Sequence, residues 1–332
     1  MTTTPEPPID LVYCWCDLAD PVFRAKKEEC ARKLGLSFDA AANSDCRYAS
    51  NDELRYSLRS VERHAPWVRK VFIVLNDENA PPPWLNCSSP RVSIVHLSDF
   101  MPPEHLPTFN SVPIEFGIAN IPEVSERFLY ANDDMFFAQG VSPGFFFARD
   151  GYPIFRYMDS RIDVDSCASD SCYLQQLATA YRFIRDALGL CGDFARAFGL
   201  LPHHNVDAYL KSDMLDFSRR FPDEVARTMG HVFRHPSQLQ RSVFANYAMA
   251  IGHGHFRRTK RPWYETVLGM PHRDSYYIPL ERKSIERDMA RIRPKLFCMN
   301  DNDKATDADR MAGRHFLEKM FPNPSSFEKA DT

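Results

Sequence analysis

The run Phe128-Leu-Tyr-Ala-Asn-Asp-Asp-Met-Phe-Phe137 sets Asn132, Asp133 and Asp134 between two apolar stretches. Adjacent carboxylates after a strand-like run repel each other unless a cation or a base neutralises them, and hard oxygen ligands suit magnesium, manganese or calcium. An ordinary Asn-Asp turn is the other reading of so short a motif. A second acidic pair, Asp17 and Asp20, follows the apolar run at the start of the chain. Asp20 precedes Pro21 as a helix N-cap does; Asp17 has no such structural assignment and is a candidate base. A third group, Phe297-Cys-Met-Asn-Asp-Asn302, again places oxygens after an apolar run, with Asp301 able to complete a metal or donor site.

Two histidine-rich segments, Pro202-His203-His204-Asn205 and His231-Val-Phe-Arg234-His235, flank a helical stretch. Imidazole titrates near neutral pH and guanidinium grips phosphate oxygens in a planar fork, so the segments could combine a phosphate site with a base. Zinc is the alternative, although no ligand spacing supports it. Asn51, Arg55 and Arg59 lie four apart on one stripe of an expected helix. They could face an anion near that helix's N-terminus, or form a solvated stripe paired with acids.

The elements that position these residues follow from periodicity. Ile9 to Trp15, Val71 to Leu75, Val92 to Val95 and Phe128 to Ala131 read as β-strands followed by polar residues, and ligands of open α/β sheets bind beyond such strand ends. Ser50-Asn-Asp-Glu53 matches a capping box that opens a helix. The second half is more helical, at Tyr173 to Ala187, Asp207 to Arg220 and Gln238 to Ile251. The fold class is therefore α/β, a mainly parallel sheet core over 8–165 with a mostly helical lobe over 166–322 and a frayed tail over 323–332. The nine cysteines are odd in number and show no paired spacing, so they are read as free thiols, with Cys14 and Cys16 packing. The formal charge of -3 gives no basic excess for nucleic acid. No apolar run reaches the roughly 20 residues of a spanning helix, and the start lacks a secretory pattern, so a cytoplasmic protein is expected.

Taken together the motifs resemble the Stealth family of sugar-phosphate transferases. Ile9 to Asp17 looks like its first block. Asn51 to Arg59, Ala65 to Arg69, Pro83 to Asn86, Leu106 to Asn110 and Asn132 to Asp134 look like its second. His204 and Arg234, on either side of Phe221-Pro222, represent the third, and Cys298 to Asp301 the fourth. Leu18 stands where members usually carry glycine. The family includes bacterial capsule polymerases and the lysosomal N-acetylglucosamine-1-phosphotransferase of animals. The resemblance implies a core like the GT-A glycosyltransferase fold and a UDP-N-acetylhexosamine donor. It further implies transfer of the sugar-1-phosphate to a glycan hydroxyl with release of UMP, in capsular or cell-surface polysaccharide synthesis. In this reading Asp133, Asp134 and Asp301 hold a divalent cation, magnesium ahead of manganese or calcium. Asn51, Arg55, Arg59 and Asn110 bind the donor, and Arg234 neutralises phosphate. His204 is the base, silenced by protonation near about pH 6 to 7, with Asp17 as its alternative. Membrane contact would be peripheral, through a capsule-export assembly. A glycosyltransferase releasing UDP and a non-catalytic sugar-nucleotide binder are the competing readings.

Overall fold

A computed structural model describes residues 7–36, 50–167, 169 and 171–330. The chain runs β1 (Ile9–Cys14), α1 (Pro21–Lys33), α2 (Glu53–His64), β2 (Val71–Leu75), β3 (Val92–His96), α3 (Ser111–Gly117), β4 (Arg127–Asn132), β5 (Met135–Phe137) and β6 (Ile154–Arg161). It continues through α4 (Cys172–Leu188), α5 (Gly192–Ala197), β7 (Leu200–Pro202), β8 (Asp207–Leu210), α6 (Lys211–Arg220), α7 (Pro222–Met229) and α8 (Ser242–Ala250). β9 (His255–Arg258), α9 (Trp263–Val267), β10 (Ser275–Pro279), α10 (Ile285–Ile292), β11 (Leu296–Asn300) and α11 (Asp307–Met320) follow.

The main sheet has the order β3-β2-β1-β4-β8, parallel except for β8 at one edge. Its first four strands in chain order are the four apolar runs read as strands. Both faces are covered, which is why these strands are continuously apolar. Because successive side chains point to opposite faces, Val12, Phe72, Val74, Phe128 and Tyr130 join one core, while Leu11, Tyr13, Ile73, Leu129 and Ala131 join the other. Leu54, Leu58 and Val61 of α2 close the second core. Two smaller sheets, β10-β11-β5 and β7-β6-β9, complete the architecture. Strands from both sides of residue 165 share each of the three sheets, so the two expected stretches interleave in the sheets.

Three local expectations are corrected. The helix expected over Asp207 to Arg220 begins as β8, because Ala208 and Tyr209 pair with Leu129 and Phe128; only Lys211–Arg220 is helical. The Ser50 capping box does not form. α2 starts at Glu53 after a left-handed Asp52, without a side-chain cap, and the Glu53 carboxylate accepts from Asn51 N at 2.6 Å and Asn51 Nδ2 at 2.9 Å. The tail is not frayed over 323–330: Phe327 is fully buried and Glu328 bridges to Leu85. Asp20 does cap α1, accepting from Val22 N at 2.8 Å. No disulfide joins the cysteines among the described residues; Cys46 lies outside them. Cys14 and Cys16 pack against different apolar clusters.

Candidate active site

β4 ends at Asn132, in register with Cys14 of β1, so the Asp133-Asp134 turn emerges at the carboxyl edge of the parallel strands. β11 fixes this turn from the other side: Met299 N donates to the Asp134 carbonyl at 2.9 Å. Cys298 Sγ and Asn300 Nδ2 each lie 3.2 Å from Asp134 Oδ2. The other carboxylate oxygen, Oδ1, is buried with no hydrogen-bond partner. His204, on the loop between β7 and β8, faces this turn. One ligand atom from each of Asp134, His204 and Cys298 falls within 4.8 Å of the others. Its ring stands edge-on to Tyr173 and Tyr277, at 6.4 and 5.8 Å between centroids.

The electrostatics are crowded. Burial lifts the Asp133 carboxyl well above the ordinary range, and the charges of Glu53 and Asp134 add to the lift. Glu53 is raised by burial, against its Asn51 hydrogen bonds and with the Asp134 charge. Burial and then Asp134 hold the Cys298 thiol protonated. His204 is pushed down to about 4, chiefly by burial; Asp134 opposes this, while Arg241 and Arg234 favour it. Burial therefore favours the neutral imidazole over the protonation near pH 6 to 7 expected from the sequence.

Beneath His204 runs a buried polar network. His203 Nε2 lies 2.7 Å from Asp207 Oδ1, and Arg241 Nη2 donates to Asp207 Oδ2 at 3.0 Å. Arg241 Nη1 reaches Glu115 Oε1 at 3.4 Å, and its guanidinium covers the Tyr130 ring. The Tyr130 hydroxyl sits 3.0 Å from Glu115 Oε1 and 2.9 Å from Asn132 Oδ1, closing the path to the acidic turn. Arg241, Asp207, Tyr173 and both histidines line one cleft. The sequence reading missed Glu53, Glu115, Asp207 and Arg241. For Glu115 a signal existed, since it is a charged residue set in an apolar helical run, and buried charges are kept only when paired.

The expected residues fall into two groups. Arg234 donates to Ser111 Oγ at 3.1 Å and its charge reaches both His204 and Glu115. Asp17 follows β1 at the same sheet edge, where its Oδ1 accepts from Ala19 N at 2.8 Å. Asn51 joins Glu53 to Asp301, at 3.5 Å from Asp301 Oδ2. The rest are engaged elsewhere. Arg55 Nε and Arg59 Nη2 both bind Glu328 Oε2, at 2.6 and 2.7 Å. Asn110 caps α3 and donates to Gln238 Oε1 at 2.9 Å, pinning the segment that carries Arg234. Asp301 is held by Arg310, Nε to Oδ2 at 2.8 Å. The all-oxygen triad of Asp133, Asp134 and Asp301 is thus not assembled, because Arg310 has taken its third member. His203, His231 and His235 do not join the three-ligand group found among the described residues.

A divalent cation fits these residues: an unpartnered buried Asp134 oxygen lies among carboxylates that repel one another. Carboxylate, imidazole and thiol form a softer set than magnesium favours.

Two family models match the chain: Stealth protein CR2, conserved region 2, over residues 47–155, and Stealth protein CR4, conserved region 4, over 288–332. These segments contribute the two halves of the acidic site, the Asn132–Asp134 turn and Cys298–Asp301. The chain belongs to the Stealth family. Among its curated relatives, exopolysaccharide phosphotransferase CpsY of Mycobacterium leprae is 32% identical over 338 residues, covering 98% of this chain and 57% of the relative. CpsY of Mycobacterium tuberculosis is 31% identical over 329 residues, covering 97% and 58%. The exopolysaccharide phosphotransferase of Nocardia farcinica is 30% identical over 327 residues, covering 97% and 61%. The chain thus spans about three fifths of the length of these relatives. A solved galactosyltransferase, LgtC with donor and acceptor sugar analogs, aligns at 10% identity with a TM-score of 0.41, covering 96% of each chain.

Proposed function

We propose that this chain transfers a hexose-1-phosphate, as the N-acetylhexosamine-1-phosphate of a UDP-sugar, to a hydroxyl of a glycan acceptor in capsular or cell-surface polysaccharide synthesis. The observation that carries this reading is the meeting of His204 with the Asp134 turn beside Arg234 and Arg241, in a family whose curated relatives are named exopolysaccharide phosphotransferases.

The acceptor oxygen attacks the phosphorus that bears the sugar. A new oxygen–phosphorus bond forms, the bond to the nucleotide's own phosphate breaks, and UMP departs with its electron pair. The acceptor proton passes to a ring nitrogen of His204, which is neutral and ready to accept it. Asp17 is the second candidate for that role. Arg234, steadied on Ser111, offers its fork to the phosphate oxygens. Asp134, with Asp133 beside it, would hold a divalent cation, which supplies charge neutralisation for a diphosphate. Arg241 is a positioning residue: locked between Asp207 and Glu115, it holds the β7–β8 loop that presents His204.

Incubation with a panel of UDP-sugars and oligosaccharide acceptors, followed by chromatography of the released nucleotide, tests the reading. UMP is the expected product. UDP would assign glycosyl transfer instead, and tight binding without turnover under every acceptor would leave a sugar-nucleotide binder. Excess chelator is expected to abolish turnover, and unchanged activity in chelator would remove the cation from this mechanism.

A further inference from the structure

Residues 255–274 form an arm distinct from the cleft. After β9, the two rails run antiparallel: Asp274 N donates to Thr259 O at 2.8 Å, Lys260 bridges to Arg273, and Arg261 N donates to His272 O at 3.1 Å. The base is locked. Asp274, fully buried, accepts a hydrogen bond from Arg156 Nε at 2.9 Å and lies at ion-pair distance from Arg257 Nε (3.0 Å) and Arg261 Nε (2.7 Å). Three guanidinium groups on one carboxylate leave this base with an excess of positive charge.

The tip is the reverse of the base. α9 and the turn after it expose Trp263 (78%), Tyr264 (52%), Val267 (75%), Leu268 (76%) and Met270 (39%), five of the eleven large apolar side chains exposed among the described residues. Leu268 N to Tyr264 O and Met270 N to Glu265 O, both 3.1 Å, fold the tip, with Gly269 in the left-handed region (φ +76°). Scattered exposed apolar residues need no explanation, but five within eight positions form a patch that water does not favour.

The flanks are cationic. Residues 255–273 hold five Lys or Arg against one acid, Glu265, which is engaged by Arg261 at 2.6 Å. Arg258 is balanced by Asp159 at 2.5 Å. Lys260 and Arg273, opposite each other on the two rails, are exposed and make no ion pair among the described residues.

We propose that this arm docks the protein on an anionic lipid surface. The aliphatic and aromatic tip enters the boundary between headgroups and acyl chains, with Lys260 and Arg273 at the level of the acidic headgroups. Trp and Tyr favour that boundary because their rings have an apolar body and a polar edge. A glycan would use the rings and the cations but would give Val267, Leu268 and Met270 nothing to contact. No helix among the described residues is long and apolar enough to cross a membrane.

Co-sedimentation of the intact chain with phosphatidylglycerol/phosphatidylcholine vesicles, against phosphatidylcholine alone, tests the proposal. The wild type is expected to pellet with the anionic vesicles, less so in high salt, and Trp263 emission to shift blue relative to Trp263→Phe. A Trp263→Ser/Leu268→Ser variant, altered only at exposed positions, is expected to bind at least ten-fold more weakly with an unchanged melting temperature. Lys260→Glu/Arg273→Glu is expected to lose the preference for anionic lipid. Wild-type protein that stays in the supernatant, or a tip variant that binds as the wild type does, overturns the proposal. So does a blue shift produced by soluble oligosaccharide and not by vesicles, which would make the arm a glycan surface. A wild-type dimer that the tip variant dissociates, with no vesicle binding, would assign the patch to a second copy.

Discussion

Two sets of charged side chains ride on α2 and its flanks, and the chain settles them in opposite ways. Arg55 and Arg59 meet a carboxylate delivered from the far end of the sequence, and Glu328, buried between them, is held down to about 2: burial would raise it, but their hydrogen bonds prevail. At the helix's start Glu53, Asp133 and Asp134 crowd together with no cationic side chain bonded to them among the described residues, and an Asp134 oxygen stays unpaired. In the sequence both sets were charged residues at suggestive spacing. What separates a structural clasp from a reactive site is whether the opposing charge is supplied by the chain itself or left for something else to bring.

Substitutions can break that contrast, starting with the largest effect. His204→Ala is expected to lower turnover roughly 10²- to 10⁴-fold, as loss of a general base does, with donor affinity nearly kept in titrations. Cation affinity measured on the same variant sharpens the assignment. Unchanged affinity leaves His204 as the base, whereas a parallel fall makes it a ligand and passes the proton to Asp17. On the other side, Glu328→Ala is expected to cost about 3 kcal/mol in denaturant unfolding by stranding two partly buried guanidinium groups, while the rate per folded molecule holds. A lost rate with unchanged stability would place Arg55 and Arg59 back in donor binding.

The clasp also carries a pH signature. A carboxyl held near 2 when folded and near about 4 when unfolded contributes stability that is present above about pH 4 and fades as pH falls toward 2. Glu328→Gln should remove that component from unfolding curves across this range. Arg234→Lys is expected to reduce turnover about 10- to 100-fold, the scale of a charge-assisted hydrogen bond, with the melting temperature unmoved. Arg55→Ala is the mildest, below about 1 kcal/mol, because Arg55 is more exposed than Arg59 and contributes a single contact to Glu328.

The parallel strands were legible because β1, β2, β3 and β4 are short β-branched and aromatic runs ending in polar residues, and local pattern suffices for that. β8 was not, since Asp207, Leu210, Met214 and Phe217 keep a helical spacing across a strand–helix junction; only pairing with β4 decides it. Asp134 and His204 could be singled out as reactive types, yet their meeting depends on β8 pairing with β4, which brings the β7–β8 loop to the turn and which no local signal announces. Nor does the local pattern announce that Arg310, nine residues on, pairs with Asp301. Glu53 was misread through a motif that fits a capping box by composition while its backbone adopts another course.

The reach of the clasp bears on how the chain matures during synthesis. Glu328 stands 273 residues beyond Arg55 and 269 beyond Arg59. A nascent chain that has already laid down β1, α2 and β2 carries two stranded cations on α2, with a bare apolar slot nearby, until Phe327 and Glu328 emerge from the ribosome. The amino-terminal layer must wait for these distant residues to be translated, and in that interval it is a natural client for chaperones.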